Sequence, residues 1–301
     1  MAAATLCFVA MQAMAKHVGK ELHPFEVAFF RNLFGLVALA PLFLRQGLAP
    51  LRTERIGLHA FRGGLQSVGM LCFFTGVTMI PLSTVTALSF TAPLVGSLLA
   101  VLILGEIVRA RRITALVIGF VGVIVVLRPG FAEISTGALL ILASTISWGS
   151  TMVVIKVLSR TESSATQTAY MGLFLTPITL VPALFVWEWP TLEQYGWFLL
   201  IGIAGTLGHL AFAQAFRQAD ATAVLPLDFL RLIWATLVGW LIFSELPDLW
   251  AWIGGTVIFA SATYIAYRES KVAREKRRNE ERETAPGPPT VPPEDAPPPR
   301  P

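Results

Sequence analysis

The residues of this chain that could do chemistry are the few ionisable side chains inside its long apolar stretches. Two of them, Asp228 and Arg231, lie three positions apart in the stretch 222–243. This spacing places both on one face of a helix, where they can form an ion pair. Pro226 precedes them and predicts a kink, because proline removes a backbone donor and crowds the turn before it. The pattern is compatible with a binding or coupling site and with a structural pair between helices.

Arg31 is a second cation inside an apolar stretch, 24–44. A charge at the centre of a membrane helix costs about 2.5–3.5 kcal/mol or more on insertion scales, so such a residue is a functional candidate by default. Arg31 could bind an anionic group or a helix end, or pair loosely with Glu26. The sequence alone does not decide between these alternatives.

Polar and aromatic side chains add weaker candidates. His209 could relay protons, although a hydrogen bond between helices is the commoner role of such a histidine. Four aromatic rings could line a pocket for a flat organic molecule, or face lipid and core. The further polar candidates are Gln12, Gln66 and Gln214, and the aromatic ones are Phe90, Trp148, Phe229 and Trp234.

Motifs of enzymes and of nucleotide-driven pumps do not occur. There is no phosphate-binding loop, metal-ligand spacing or nucleophile elbow, and Cys7 and Cys72 both lie in apolar stretches. We therefore expect no enzymatic activity, no metal or other cofactor and no nucleic-acid partner.

The elements that carry these residues are predicted to be membrane-spanning helices. The sequence is 54% hydrophobic and only 14% charged, with a mean hydropathy of +0.66. About 20 apolar residues cross the hydrocarbon core of a bilayer as a helix. Ten stretches qualify: 2–19, 24–44, 63–80, 83–104, 110–128, 137–157, 166–187, 195–216, 222–243 and 249–267.

The second half of the sequence repeats the first. Gly63–Arg128 aligns without a gap with Gly202–Tyr267, and an adjacent register pairs Lys16 with Lys156. Because each half holds five spans, the halves must have opposite orientations, as in the inverted repeats of secondary transporters. The predicted fold is therefore an all-α membrane protein with ten transmembrane helices in two inverted five-helix repeats. Among the aligned pairs are Gly69 with Gly208, Phe90 with Phe229, and Glu106 with Glu245.

The loop charges predict the orientation. With the N-terminus inside, ten basic residues lie in inner loops and three lie outside, which the positive-inside rule favours. Both termini are then cytoplasmic. The inner ten are Arg45, Arg52, Arg55, Arg62, Arg109, Arg111, Arg112, Lys156, Arg160 and Arg217, and the outer three are Lys16, Lys20 and Arg128.

The chain divides into a first repeat at 1–128, a linker at 129–136, a second repeat at 137–267 and a tail at 268–301. The basic part of the tail, 268–283, could extend the last helix, and the Pro-rich part that follows is predicted to be disordered.

Small residues recur four apart at equivalent positions, as Gly96 and Ala100 and as Ala235 and Gly239. Such pairs let helix backbones approach closely in lipid. We therefore expect the fourth and ninth spans to pack tightly, with a neighbour or on each other.

These motifs resemble the EamA-type branch of the drug/metabolite transporter superfamily. The resemblance rests on Phe90–Leu94 and Leu104–Glu106 in the first half, and on Pro226–Phe229 and Phe243–Asp248 in the second. Lys16 and Lys156 end the first helix of each half, as in family members. The resemblance covers about residues 1–268.

The resemblance implies a secondary transporter in a bacterial inner membrane that works by alternating access, with the proton as a candidate coupling ion. Its substrate would be a small organic metabolite such as riboflavin, S-adenosylmethionine or an amino acid, and its state a monomer or a homodimer. Two alternatives remain: a drug or organic-cation exporter of the same fold, and a non-transporting receptor or assembly protein.

Overall fold

The structure is a computed structural model that describes residues 1–37, 47, 51–104, 110–130, 133–158, 161–218, 225–246 and 248–284. Its regular elements there are helices, which we number in chain order. They are α1 (Ala2–Val18), α2 (Pro24–Val37), α3 (Ile56–Met79), α4 (Leu82–Ser89), α5 (Thr91–Leu104), α6 (Ala110–Leu127), α7 (Thr136–Leu158), α8 (Ser164–Leu184), α9 (Leu192–Gln218), the 3-10 turn η1 (Leu225–Phe229), α10 (Leu230–Phe243) and α11 (Leu249–Thr284).

The helices follow the apolar stretches of the sequence. Large apolar side chains lie exposed on several of them, for example Leu102 and Leu241. An all-helical protein with such a surface is consistent with burial in a bilayer, where lipid covers it. Among the described residues, four segments are long and apolar enough to cross a membrane, and two further apolar helices are shorter. The four are Leu82–Ile103, Thr136–Leu158, Thr166–Leu184 and Leu249–Arg268, and the two are Ala2–Val18 and Arg112–Leu127.

Helices from the two halves of the chain pack against each other. α3 lies against α7, and α1 lies against α9. α2 packs on α8, and α6 packs on α11. The helix hydrogen bonds satisfy the backbone locally, so these contacts bring together side chains that are far apart in sequence.

Glycines permit the closest of these approaches. A Cβ added to Gly69 of α3 would lie 2.6 Å from Oγ of Ser147 on α7. A Cβ added to Gly208 of α9 would lie 2.9 Å from Cε1 of Phe8 on α1. A side chain at either position would force its neighbour to move. The internal alignment pairs Gly69 with Gly208, so equivalent positions make equivalent close contacts.

The two small-residue pairs do not meet each other. A Cβ on Gly96 would lie 3.3 Å from the carbonyl oxygen of Gly149, so the close neighbour of Gly96 is α7. A Cβ on Gly239 would lie 2.7 Å from Oε2 of Glu245, so Gly239 makes room for a carboxylate rather than for a helix. The fourth and ninth predicted spans do contact each other, but through α4 and α10. The other members of the pairs, Ala100 and Ala235, are buried.

The described part of the ninth apolar stretch does not begin as an α-helix. Residues 219–224 lie outside the described residues, and the chain then forms the 3-10 turn η1 before α10 begins at Leu230. Pro226 therefore lies in η1 instead of kinking a continuous α-helix. The turn places the residues that follow Pro226 at the beginning of α10.

The last helix continues well beyond the final apolar stretch. α11 extends to Thr284, so the basic segment 268–283 is helical. The Pro-rich segment, for which the sequence predicts disorder, lies outside the described residues from position 285 onward.

Candidate functional site

Asp228 and Arg231 form an ion pair where η1 passes into α10. Nη2 of Arg231 donates to Oδ1 of Asp228 at 3.0 Å, and each side chain is 18% exposed. The pairing predicted from the three-residue spacing is therefore present. Nε of Arg231 is buried and has no hydrogen-bond partner among the described residues. One donor of the guanidinium thus remains for another group.

Phe8 of α1 connects this pair to α9. The guanidinium carbon of Arg231 lies 5.1 Å from the centre of the Phe8 ring, a cation–π contact. The His209 ring packs edge-on against the same phenyl ring, with centroids 5.1 Å apart. Because Phe8 contacts both groups, α1, α9 and α10 contribute side chains to one place.

Arg31 extends the site toward α2. Its side chain is buried, and Nη1 donates to Oδ1 of Asn32 at 3.0 Å. A Cβ on Gly205, one turn before His209, would lie 3.4 Å from Nη2 of Arg31. Oε1 of Glu26 accepts the backbone amide of Glu188 at 2.9 Å, Oε2 is buried without a hydrogen-bond partner among the described residues, and no ion pair joins Glu26 to Arg31 there.

We call five residues the central cluster: Phe8, Arg31, His209, Asp228 and Arg231. Phe8 connects His209 to Arg231, and Arg31 approaches α9 at Gly205, one turn before His209. His209 is exposed, whereas Arg31 is buried. With two guanidinium groups and one carboxylate, the cluster has an excess of positive charge. A ligand that brings a negative group would balance it.

Two polar atoms without a hydrogen-bond partner lie on the helix faces that carry the central cluster. Oε1 of Gln12 and Nε1 of Trp234 are buried and have no partner within the described part of the chain. Gln12 follows Phe8 by four residues on α1, and Trp234 follows Arg231 by three on α10, so each shares a face with its cluster residue. Buried polar groups are nearly always hydrogen-bonded in native proteins, by protein or by ordered water. These atoms are therefore available to a bound molecule.

The remaining sequence candidates lie outside the central cluster. Gln214 is exposed. Gln66 donates to the sulfur of Met171 at 3.3 Å. The other aromatic candidates pack with rings of neighbouring elements: Trp148 lies 4.9 Å from Phe73, and Phe90 lies 6.3 Å from Phe229, between ring centres.

An ion pair that the sequence did not reveal joins α1 to the end of α10. Nζ of Lys16 donates to Oε1 of Glu245, and Lys16 is buried. The long sequence separation hid this contact. The signal that could have found it is that both residues have repeat equivalents, Lys156 and Glu106. Among the described residues, no group of three or more metal-ligating side chains comes together.

Comparison with known proteins supplies the family. The profile of the EamA-like transporter family matches residues 1–128 and again residues 135–267. One solved crystal structure has a TM-score of 0.59 to this fold at 16% identity, covering 90% of this chain and 98% of the other. That likeness concerns the fold.

Several transporters are similar over most of their length. An S-adenosylmethionine uptake transporter of Rickettsia bellii is 31% identical over 267 residues, which cover 89% of this chain and 92% of the relative. A riboflavin transporter of Vibrio cholerae is 30% identical, with 92% and 95% covered. A pseudopaline exporter of Pseudomonas aeruginosa is 27% identical, with 85% and 90% covered. The chain therefore belongs to the EamA-like transporter family of the drug/metabolite transporter superfamily, and it is a small-metabolite transporter.

Proposed function

We propose that this chain carries a metabolite with an α-amino-acid head group across the bacterial inner membrane by alternating access. The observation that carries the proposal is the central cluster, in which Arg31 and Arg231 are accompanied by one carboxylate, Asp228. Within the described residues, Arg31 hydrogen-bonds the neutral side chain of Asn32. Its positive charge is therefore left for a ligand to neutralise.

An α-amino-acid head group complements this arrangement. A guanidinium binds a carboxylate through two parallel hydrogen bonds, and such charge-assisted bonds are among the strongest in proteins. The ammonium of the ligand can approach Asp228, whose described ion-pair partner is Arg231. A zwitterion thus brings one charge of each sign to groups of opposite sign.

Aromatic surface beside the charges favours a ring in the substrate. The phenyl ring of Phe8 lies next to the guanidinium group of Arg231, and the imidazole of His209 packs against that phenyl ring. Of the substrates named for the relatives, S-adenosylmethionine has both an amino-acid head and an adenine ring, whereas riboflavin has no carboxylate. We therefore place S-adenosylmethionine and related amino acids before riboflavin as substrates.

Two inverted five-helix repeats supply the alternating access in this proposal. The equivalent glycines Gly69 and Gly208 make equivalent close contacts, which supports a twofold relation between the halves. The family profile matches the chain twice, which supports the same division. The ten apolar stretches give ten spans, and the loop charges place both termini in the cytoplasm. Substrate sites in such proteins lie between the repeats near midplane.

The central cluster lacks the feature that is expected of a drug or organic-cation exporter. A cation path would use an unpaired membrane carboxylate, whereas Asp228 is paired with Arg231 at 3.0 Å. If the proton is the coupling ion, His209 is the group in the central cluster that would carry it. A monomer suffices for the proposal, because the central cluster lies within one chain, and a homodimer would hold two such sites.

Uptake into proteoliposomes tests the proposal. Radiolabelled S-adenosylmethionine, a neutral amino acid and riboflavin are offered in parallel, with and without a pH gradient. Saturable uptake of an amino-acid compound, with competition by others of that class, is the expected result. Transport of riboflavin alone would contradict the assignment of the head group. A thermal-shift titration with the same compounds measures binding independently of transport direction.

A further inference from the structure

We propose that Lys16 and Glu245 form a latch that closes one mouth of the transport path. In the topology that the loop charges predict, the Lys16 mouth faces the periplasm. This inference rests on the proposed alternating access, but it concerns which mouth is closed and not which substrate is carried.

Lys16 binds two separate parts of the protein. Its ammonium donates to Oε1 of Glu245, after the end of α10, and to the carbonyl oxygen of Ile80, between α3 and α4. The other carboxylate oxygen of Glu245 accepts the backbone amide of Leu82 at 2.8 Å. The ends of α1, α3 and α10 and the start of α4 are thereby tied together. One of these elements belongs to the second half of the chain and the others to the first.

The backbone holds the Glu245 carboxylate in this place. Ser244 has a left-handed conformation with φ 55°, which ends α10 and lets the amide of Glu245 donate back to the carbonyl of Gly239. The carboxylate then folds over Gly239, where a Cβ would lie 2.7 Å from Oε2. A residue other than glycine is uncommon in a left-handed conformation, so its presence here indicates a local requirement.

The ring of Phe243 covers the latch from one side. Nζ of Lys16 lies 5.5 Å from the ring centre, and Nζ of Lys20 lies 5.0 Å from it. A partly desolvated cation over an aromatic face is stabilised without a hydrogen bond. Lys20 therefore contacts the same ring without joining the ion pair, which makes it a matched control.

The two lysines differ in burial although their positions are equivalent. Lys16 is only 6% exposed, whereas Lys156 is exposed and borders a crevice of about 220 Å³ that Met152 and Gly96 also line. In the predicted topology the crevice beside Lys156 is on the cytoplasmic side. Alternating access moves one repeat against the other around the site. We therefore expect this crevice to close when the mouth beside Lys16 opens.

A buried ion pair can act as a latch because each charge needs its partner for stabilisation only while the closed mouth keeps both charges out of water. Removing one partner is strongly unfavourable as long as the other charge stays buried. When the mouth opens, water hydrates the ends of α1 and α10 and stabilises both charges there. Neutralising one partner should therefore shift the population toward the state in which this mouth is open.

Reactive cysteines near the two lysines test the latch. In a background with Cys7→Ala and Cys72→Ala, one reporter is Gln12→Cys, a buried position one turn before Lys16. The second is Met152→Cys, which lies in the crevice near Lys156. A membrane-impermeant maleimide is applied to right-side-out and inside-out vesicles without substrate, and the labelling rates are measured.

The expected result is a reciprocal change. Lys16→Gln and Glu245→Gln each strand a buried charge, so each should raise labelling of Gln12→Cys in right-side-out vesicles by about tenfold or more. Both single variants should lower labelling of Met152→Cys in inside-out vesicles. The double neutral variant strands no charge, so its labelling rates should change less than those of either single variant. Lys20→Gln should leave both rates unchanged, because Lys20 contacts Phe243 without joining the ion pair.

Other outcomes would overturn the latch. A rise at both reporters would mean that the pair only holds the fold together, and unchanged rates at both would mean that it does not control access. Labelling of Gln12→Cys that rises as much in the double neutral variant as in the single variants would contradict the argument from the stranded charge. A reciprocal change, together with no uptake of any amino acid by the protein that retains Gln12, would refute the proposed substrate while leaving the latch in place.

Discussion

The rings of Phe90 and Phe229 stack on each other, with centroids 6.3 Å apart and planes inclined by 21°. The internal alignment pairs these two residues, so a residue of the first half contacts its own equivalent in the second half. Residues related by a twofold axis can touch their own equivalents only near that axis. The contact therefore supports the proposed relation between the repeats, and Asp228 directly precedes one of its rings.

The close glycine contacts predict a sharp difference between neighbouring substitutions. A Cβ on Gly63 would lie 2.5 Å from Cβ of Phe174, whereas a Cβ on Gly64 meets nothing within 4 Å. Gly63→Ala should lower stability by about 1–3 kcal/mol through overpacking. Gly64→Ala should raise it by up to about 1 kcal/mol, because alanine favours the helix. Melting temperatures in one detergent measure both.

The second repeat supplies an independent check of this prediction. Gly202 aligns with Gly63, and a Cβ there would lie 2.7 Å from Cβ of Phe34. We expect Gly202→Ala to lower the melting temperature as Gly63→Ala does. A melting temperature for either variant equal to that of Gly64→Ala would mean that the close contact does not exist in the protein.

The membrane topology is a prediction from loop charge. Reporter fusions after Arg160 and Arg268 should be active in the cytoplasm, and fusions after Glu193 should be active in the periplasm. The physical reason is the retention of basic loops on the inner side during insertion. A periplasmic reporter after Arg268 would mean an odd number of spans and would refute the ten-span proposal.

Local sequence rules predicted that the chain is helical and that it contains the short-range ion pair. The described parts of the apolar stretches are helical because the backbone must satisfy itself in a bilayer. The fourth stretch, however, is divided into α4 and α5, and the ninth contains η1 before α10. The three-residue spacing of Asp228 and Arg231 led to their pairing, since one turn of helix fixes the geometry. The Lys16–Glu245 pair could not be predicted in this way, because it depends on how α1 packs against α10.

The sequence also could not predict which groups pack against the small residues. Gly96 and Gly239 come from the same recurring small-residue pattern, yet one lies against a backbone carbonyl of α7 and the other against the Glu245 carboxylate. A glycine in the sequence indicates a close approach without naming what approaches. Likewise, Pro226 predicts an interruption of the ninth span, but the choice of a 3-10 turn over a kinked helix depends on the surrounding helices.

A buried histidine near the start of α3 predicts a pH-dependent stability. The His59 ring is 2% exposed and stacks on Tyr170 with centroids 4.7 Å apart. It precedes the predicted span 63–80. Burial lowers the pKa of His59, Glu162 at 4.0 Å opposes that shift, and Arg62 adds to it.

The sign of this effect follows from proton binding. Because the pKa of His59 is lower in the folded protein, the unfolded chain binds more protons below the ordinary value of 6.5. Stability should be complete above that value and decrease as the pH falls below it. Melting temperatures of wild type and His59→Phe between about pH 5 and 8 measure the difference. An equal loss in both proteins on acidification would assign the effect to another group.

Arg31 should control affinity for an anionic head group. Its guanidinium is buried, and its described hydrogen bond goes to Asn32. Arg31→Gln should raise KM for an amino-acid substrate by about tenfold or more, because a hydrogen bond to a charged group contributes about 1.5–3 kcal/mol. Arg55→Gln, at an exposed position, is the matched control and should leave KM unchanged. A wild-type KM in well-folded Arg31→Gln would exclude this residue from the site.

The role of the Asp228–Arg231 pair is decided by a double-mutant cycle. If Asp228 binds substrate, Asp228→Asn should abolish uptake while the melting temperature stays near wild type. If the pair is structural, each single variant strands a charge and loses stability, and Asp228→Asn with Arg231→Gln should recover both stability and uptake. We expect the first pattern, because both side chains are partly exposed beside Phe8 and His209. Wild-type uptake by well-folded Asp228→Asn would exclude this carboxylate from the transport mechanism.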